Sequence, residues 1–213
     1  MTSDSWNPEP ALISQTLSAN SMSDWQVQAD MAAGNTAVLS YPDAQDTITD
    51  TSDNPVPYSD FTALTSTYAT QMPSDAGTAG PQDDYEAAYD IWLGRDGADY
   101  DQEVMVWTDD HNQVPAGTDT HATWTDPSTG TAYDIWTGSG DHPVTLVAKT
   151  STTSGSIDLL SLFKWLQSNG YSDETGVNQI DYGFELCSTS GHSETFTVSA
   201  YTLKATCSGS NSC

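Results

Sequence analysis

Asp101-Gln102-Glu103-Val104-Met105-Val106-Trp107 reads as a strand with two unlike faces. Side chains alternate along an extended chain, so Glu103, Met105 and Trp107 share one face and Val104 and Val106 the other. The valine face suits the core between two sheets. The Glu-Met-Trp face suits a cleft.

The pattern recurs twice. In Ala88-Tyr89-Asp90-Ile91-Trp92, Asp90 and Trp92 oppose Tyr89 and Ile91. In Asp181-Tyr182-Gly183-Phe184-Glu185-Leu186, Glu185 and Gly183 oppose an apolar face of Tyr182, Phe184 and Leu186. Two of only six glutamates therefore lie in mid-strand, where Glu is normally depleted. One such carboxylate merely solvates a sheet. Three, flanked by Met, Trp and Gly, fit a sugar cleft, which needs flat apolar surface, close backbone approach and paired carboxylates.

Further strands are expected at Trp25–Asp30, Thr36–Tyr41, Thr131–Thr137, Val144–Lys149 and Phe196–Leu203, with those above at Ala87–Leu93, Glu103–Thr108 and Ile180–Leu186. Tyr41–Tyr58 and Met72–Asp84 read as loops, being rich in Pro and Asp. Between about 157 and 169, Leu159, Phe163 and Leu166 form a helical stripe, with Ser156 or Asp158 as cap and Gly170 at its end. The helix is expected on an outer sheet face.

The 213 residues suit one domain, 1–206, followed by a short Ser/Gly tail, 207–213. Abundant Ser, Thr, Gly, Asn and Asp, with short apolar runs, indicate an all-β chain with one helix.

The formal net charge is −26, with Arg95, Lys149, Lys164 and Lys204 as the only basic residues. Phosphate backbones and anionic membranes are attracted by clustered cations, so neither is expected as a partner. A neutral polysaccharide is compatible. The acidity suits extracellular solubility or adaptation to high salt, which screens carboxylate repulsion. No apolar run approaches the roughly 20 residues of a membrane span. Met1-Thr2-Ser3-Asp4 reads as a start placed after a removed secretion leader. Cys207 and Cys213 bracket a short polar tail and are the favoured disulfide, leaving Cys187 as a free or buried thiol. The scattered histidines, His111, His121, His142 and His192, give no metal-ligand spacing, and no cofactor is expected. A monomer is expected.

Several of these segments resemble glycoside hydrolase family 12. Ala87-Ala88-Tyr89-Asp90-Ile91-Trp92-Leu93 is similar to the family's Ala-Tyr-Asp strand, and Glu103-Val104-Met105-Val106-Trp107 to its Glu-x-Met-Ile-Trp strand. Asn112-Gln113-Val114-Pro115-Ala116-Gly117 resembles its Asn-x-x-Pro-x-Gly turn, and Tyr133-Asp134-Ile135-Trp136-Thr137-Gly138 a later strand. The helix and Gly183-Phe184-Glu185 follow in the family's order. The likeness is good from about Tyr85 to Leu203 and weak before it.

The resemblance implies a two-sheet antiparallel β-jelly-roll sandwich of the concanavalin A type. It implies retaining, endo-acting cleavage of β-1,4-linked glucans: cellulose derivatives, mixed-linkage glucan or xyloglucan. Glu103 would be the nucleophile, Glu185 the acid/base, and Asp90 their neighbour. Trp6, Met105, Trp107, Asn112, Pro115 and Trp136 would contact sugar. The chain departs from the family where Leu186-Cys187-Ser188 replaces the usual Pro after the acid/base, and where Asp4-Ser5-Trp6-Asn7-Pro8 stands for an Asn-Asn-x-Trp-Gly start. Trp25, Trp124 and Trp165 are expected to pack, and Trp92 and Trp136 either to pack or to face sugar. The rivals are a non-catalytic lectin-like jelly roll and an acidic structural protein with no sugar site. The paired glutamates separate a hydrolase from a lectin, which needs only one binding face.

Overall fold

A computed structural model of the chain describes residues 1–5, 11–74, 82–95, 98–138 and 143–208, with side chains from 102 rather than 98 in the fourth of these segments. Trp6, His142 and Cys213 lie outside the described residues.

Two sheets form a sandwich. The larger contains β1 (Thr2–Ser5), β4 (Ser40–Thr47), β13 (Gly176–Ser188), β7 (Asp84–Arg95), β8 (Ala98–His111), β11 (Val144–Ala148), β10 (Ala132–Thr137) and β9 (Thr118–Thr125), in that spatial order, with β5 (Val56–Pro57) beside β13. The smaller has the order β12 (Ser154–Asp158), β6 (Phe61–Gln71), β14 (Ser193–Cys207), β3 (Asp24–Met31) and β2 (Leu12–Ser21). The pairing of β11 with β8 is parallel; the other described pairings are antiparallel.

The core lies between the sheets. Tyr89, Ile91, Val104, Val106, Tyr182 and Phe184 enter it from the large sheet, and Trp25, Val27, Tyr68, Phe196 and Val198 from the small one. Aromatic rings interlock across the gap: Trp25 meets Phe184 edge-on at 5.7 Å, and Tyr182 stacks on Tyr201 at 5.8 Å. The outward alternates of β13, β7 and β8 are thereby fixed on the opposite face, where the carboxylates are.

The helix α1 spans Leu159–Ser168. Asp158 caps it, its Oδ1 accepting from the Ser161 N–H at 3.0 Å. Gly170, at φ +73°, lets the chain turn so that the Tyr171 N–H reaches the Leu166 carbonyl at 2.9 Å. Ile157 belongs to β12 rather than to the helix. The buried stripe Leu159, Leu162, Phe163 and Leu166 merges with the inter-sheet core instead of forming a separate outer layer, and Phe163 stacks on Tyr58 at 5.4 Å.

Seven of the eight expected strands are present, five of them longer than expected. The exception is Thr36–Tyr41, where the strand is β4 and begins at Ser40, so half of the expected loop Tyr41–Tyr58 is strand. Pro42 hid it. Proline offers no N–H, and the β4–β13 ladder skips Tyr41 and Pro42, keeping the same register in the pairs Asp43–Gly183 and Ser40–Leu186 on either side. β6 escaped notice because polar residues share its core face: Ser66 and Thr70 are buried there with Leu64 and Tyr68. Ser66 is satisfied by donating to the Thr202 carbonyl at 2.9 Å and accepting from the Tyr89 hydroxyl at 2.9 Å. β1, β2, β9 and β12 were missed as well; their polar, largely exposed sequences give no clear alternation. Cys187 is free and buried, and Cys207 is disulfide-bonded. Among the described residues, no helix is long and apolar enough to cross a membrane.

Candidate active site

Three neighbouring strands set the site. β7 pairs with β13 on one side and with β8 on the other. Along the outward face of β7, Glu86 stands opposite Glu185, Ala88 opposite Gly183 and Trp107, Asp90 opposite Asp181 and Met105, and Trp92 opposite Glu103. Asp90 therefore lies between the two glutamates, diagonal to Glu103. The small side chains of Ala88 and Gly183 keep the middle of this face low. A Cβ at Gly183 would run into the Pro42 carbonyl oxygen, so only glycine lets β4 approach here.

The sequence-predicted trio is thus brought to one face. Asp90 and Glu185 are buried and Glu103 is half-buried. Burial raises the Glu103 carboxyl to about 7, helped by the Glu185 charge and opposed by a hydrogen bond with Asp90. Although the Cα atoms of Glu103 and Glu185 are offset along β7, their carboxyls are near enough to interact. Asp90 is pushed well up, first by burial and then by Glu103, Asp181 and Glu185. A neutral Asp90 donating to the Glu103 carboxylate accounts for both directions.

Four further residues join them that alternation alone would have revealed in part. Asp181 and Glu86 have the parity of Glu185 and Asp90 on their strands, yet neither was singled out. Burial lifts Asp181 to about 8, against a hydrogen bond donated by Gln179 Nε2 at 2.6 Å. Glu86 has no solvent exposure and is raised well above the ordinary range by burial, then by Glu185. Asp43 and Tyr41 arrive on β4, the strand that its proline concealed. Asp43, raised to about 6 by burial, accepts from the Thr2 hydroxyl at 2.6 Å. Tyr41 is buried and donates to the Ala88 carbonyl at 3.1 Å. The ion pairs Arg95–Glu174 and Lys149–Asp134, each at 2.6 Å, lie elsewhere, while the N-terminal ammonium eases the burial of Asp43.

The sugar-contact candidates divide. Met105 and Trp107 share the face of Glu103 but are buried in a small floor cluster with Ala88 and Val147. Ala88, directly opposite Trp107, leaves the space that the indole fills. Trp136 is half-buried and reaches the same face through Thr145, which pairs with Met105. Trp92 is half-buried beside Glu103. Asn112, at φ +61°, uses its side chain to hold the loop, donating to the Asp83 carbonyl at 2.7 Å. Pro115 is half-buried in the turn that Gly117 completes; a Cβ there would collide with the Thr137 backbone. Among the described residues, no group of His, Cys, Asp or Glu is arranged to hold a metal ion.

Residues 11–206 match the sequence pattern of glycosyl hydrolase family 12. The chain belongs to glycosyl hydrolase family 12. A curated relative, endoglucanase S of Pectobacterium parmentieri, is 28% identical over 113 residues, which span 48% of this chain and 43% of that protein. Solved structures share the family 12 sandwich. A family 12 xyloglucanase from Bacillus licheniformis superposes with a TM-score of 0.76 at 20% identity, covering 95% of this chain and 90% of that one. The xyloglucanase domain of a Sinorhizobium fredii type three effector, in complex with cellobiose, gives 0.72 at 24% identity, covering 96% and 92%. The match to the family sequence pattern, not the fold likeness, establishes membership.

Proposed function

We propose that this family 12 chain is a retaining endo-acting hydrolase of β-1,4-linked glucans, with Glu103 as nucleophile, Glu185 as acid/base and Asp90 as the partner of Glu103. The observation that supports it best is the meeting of Asp90, Glu103 and Glu185 on one sheet face. There the Glu185 charge acts on Glu103, and Asp90 is hydrogen-bonded to it. The xyloglucanase and endoglucanase names of the relatives favour the substrate class, as does cellobiose in one of them.

In the first step, Glu103 attacks the anomeric carbon while Glu185 gives its proton to the departing glycosidic oxygen. A glycosyl ester forms on Glu103. In the second, Glu185 as carboxylate takes a proton from water, the water oxygen bonds to the anomeric carbon, and the ester bond breaks. Retention calls for the two carboxyls to stand about 5–5.5 Å apart with substrate bound. Neutral Asp90 steadies the Glu103 carboxylate by hydrogen bonding, which offsets part of its burial. Half-exposed Trp92 and Trp136 offer flat faces to pyranose rings, while Met105 and Trp107 supply the floor. The acidic surface is consistent with action outside the cell on a neutral polymer.

Incubation with carboxymethyl-cellulose, barley β-glucan and xyloglucan, with detection of new reducing ends, tests this reading. Cleavage of at least one is expected. Binding without cleavage of any would favour a lectin-like module.

A further inference from the structure

Glu86 is a carboxyl that the mechanism above does not use. It pairs directly across β7 and β13 with Glu185. It is fully buried, whereas Glu185 keeps a 7% exposed edge, so Glu86 stands behind Glu185 as seen from solvent. Neither Glu86 oxygen receives a hydrogen bond from a donor among the described residues. The carboxyl directly across from them is that of Glu185, whose charge acts on Glu86. Two carboxylates cannot rest together in a buried place without a positive partner. Two carboxyls can, if one holds a proton and donates it.

The other groups facing Glu86 do not supply that positive charge. From β13 comes Cys187, whose thiol is held neutral by burial and already accepts from Gln113 Nε2 at 2.8 Å. From β8 comes Asp110, its register partner, with His111 next in sequence. On its own strand is Asp84, whose carboxyl feels the charge of His111. Tyr41 from β4 feels the Glu185 charge but spends its hydroxyl proton on Ala88. Glu86, the more deeply buried of the two, is the one that keeps its proton when Glu185 loses its own.

We infer that Glu86 is a positioning residue for Glu185: a buried neutral acid that donates its O–H to the Glu185 carboxylate. The inference rests on Glu185 being the acid/base. When Glu185 protonates the leaving oxygen, it becomes an anion in a place with little water. Glu86 then replaces the missing hydration with one fixed O–H, aimed at the oxygen that must next take a proton from water. The Glu86 proton stays on Glu86 throughout, so the two-step balance is unchanged. Such a donor stabilises the charge that Glu185 acquires as it protonates the leaving oxygen.

The test compares pH profiles of kcat/KM for the wild-type protein, Glu86→Leu and Glu86→Gln on barley β-glucan. Leu fills the space without a donor; Gln keeps an N–H donor in nearly the same shape. The alkaline limb should move up by about one pH unit in Glu86→Leu. It should stay close to wild type in Glu86→Gln. A Leu limb that is unmoved or moves down overturns the inference, as does a Gln limb that moves as far as the Leu limb. A purely structural role would change amplitude and thermal stability and leave the limbs in place. Infrared spectra of the resting protein provide a readout free of turnover. The difference spectrum, wild type minus Glu86→Gln at neutral pH, should show the loss of one protonated-carboxyl band, over and above those that Asp90 and Asp181 keep in both proteins; no loss of intensity there overturns the inference. If the wild type cleaves nothing yet loses that band on substitution, the reading of Glu185 as acid/base fails while the proton on Glu86 stands.

Discussion

The two faces of β13 are one residue apart and obey different rules. Tyr182, Phe184 and Leu186 are buried in an apolar core, and Asp181 and Glu185 are almost as buried among carboxyls. Burial is therefore not what separates core from site in this molecule. The core face gains free energy from removing carbon from water. The site face loses it, because carboxyls are desolvated, and it recovers part by holding protons. The core face anchors the strands, and the site face spends that stability on perturbed acids, as functional sites do.

Adjacent substitutions should break the comparison most sharply. Phe184→Ala empties a fully buried ring and should cost about 3–5 kcal/mol of unfolding free energy in denaturant titration. Glu185→Gln, next along the chain, should leave stability unchanged or slightly raised, because it replaces a buried carboxyl by a neutral amide of the same shape. Its turnover on glucan should fall about 10²- to 10⁴-fold. The glycosylation step should survive on an aryl glycoside whose leaving group needs no proton. A Glu185→Gln protein that is badly destabilised and fully active would erase the distinction between the faces.

A smaller effect concerns pH. Asp181 titrates at about 8 in the folded chain, against about 3.9 for an ordinary unfolded Asp. The native state thus keeps a proton that the unfolded chain has released, and stability falls as pH rises from about 4 toward about 8. Asp43, at about 6, adds to the lower part of that window. Asp181→Asn should flatten the upper part and raise stability at pH 8 by on the order of 2 kcal/mol, measured by thermal or urea unfolding across pH. An unchanged slope would mean that Asp181 is not the proton holder.

The smallest effect is expected from salt. With a formal net charge of −26, surface repulsion should weaken as salt screens it, and the midpoint of thermal unfolding should rise by a few degrees between low and molar NaCl. A flat or falling midpoint would leave acidity as a matter of solubility alone.

How much of this could be read from residues depended on which face a strand showed. Where a core face was cleanly apolar, as in Val104 with Val106 or Tyr182 with Phe184, alternation located both the strand and the outward Glu103 and Glu185. Where Ser66 and Thr70 held core positions, β6 was invisible, since hydroxyls can be buried once paired and alternation does not register the pairing. Pro42 disguised β4 as a loop, and with it Tyr41 and Asp43. Glu86 was missed for another reason. Its strand was recognised from Ala87 onward, one residue too late, and only the register with β13 shows that it meets Glu185. Trp107 illustrates the converse: the face was right, but the indole is floor, because its neighbour Ala88 is small enough to admit it.

The central claim is that Glu103 and Glu185 act as nucleophile and acid/base of a double displacement. The most direct measurement is covalent trapping with a 2-deoxy-2-fluoro cellobioside bearing an activated leaving group. The fluorine slows both steps and the leaving group restores the first, so the glycosyl-enzyme accumulates. The account predicts one added 2-fluorocellobiosyl group, a disaccharide, by mass spectrometry, located by peptide mapping on Glu103 and formed still in Glu185→Gln. A label on Glu185 or Asp90, or a protein that cleaves glucan yet never accumulates an adduct, would contradict it.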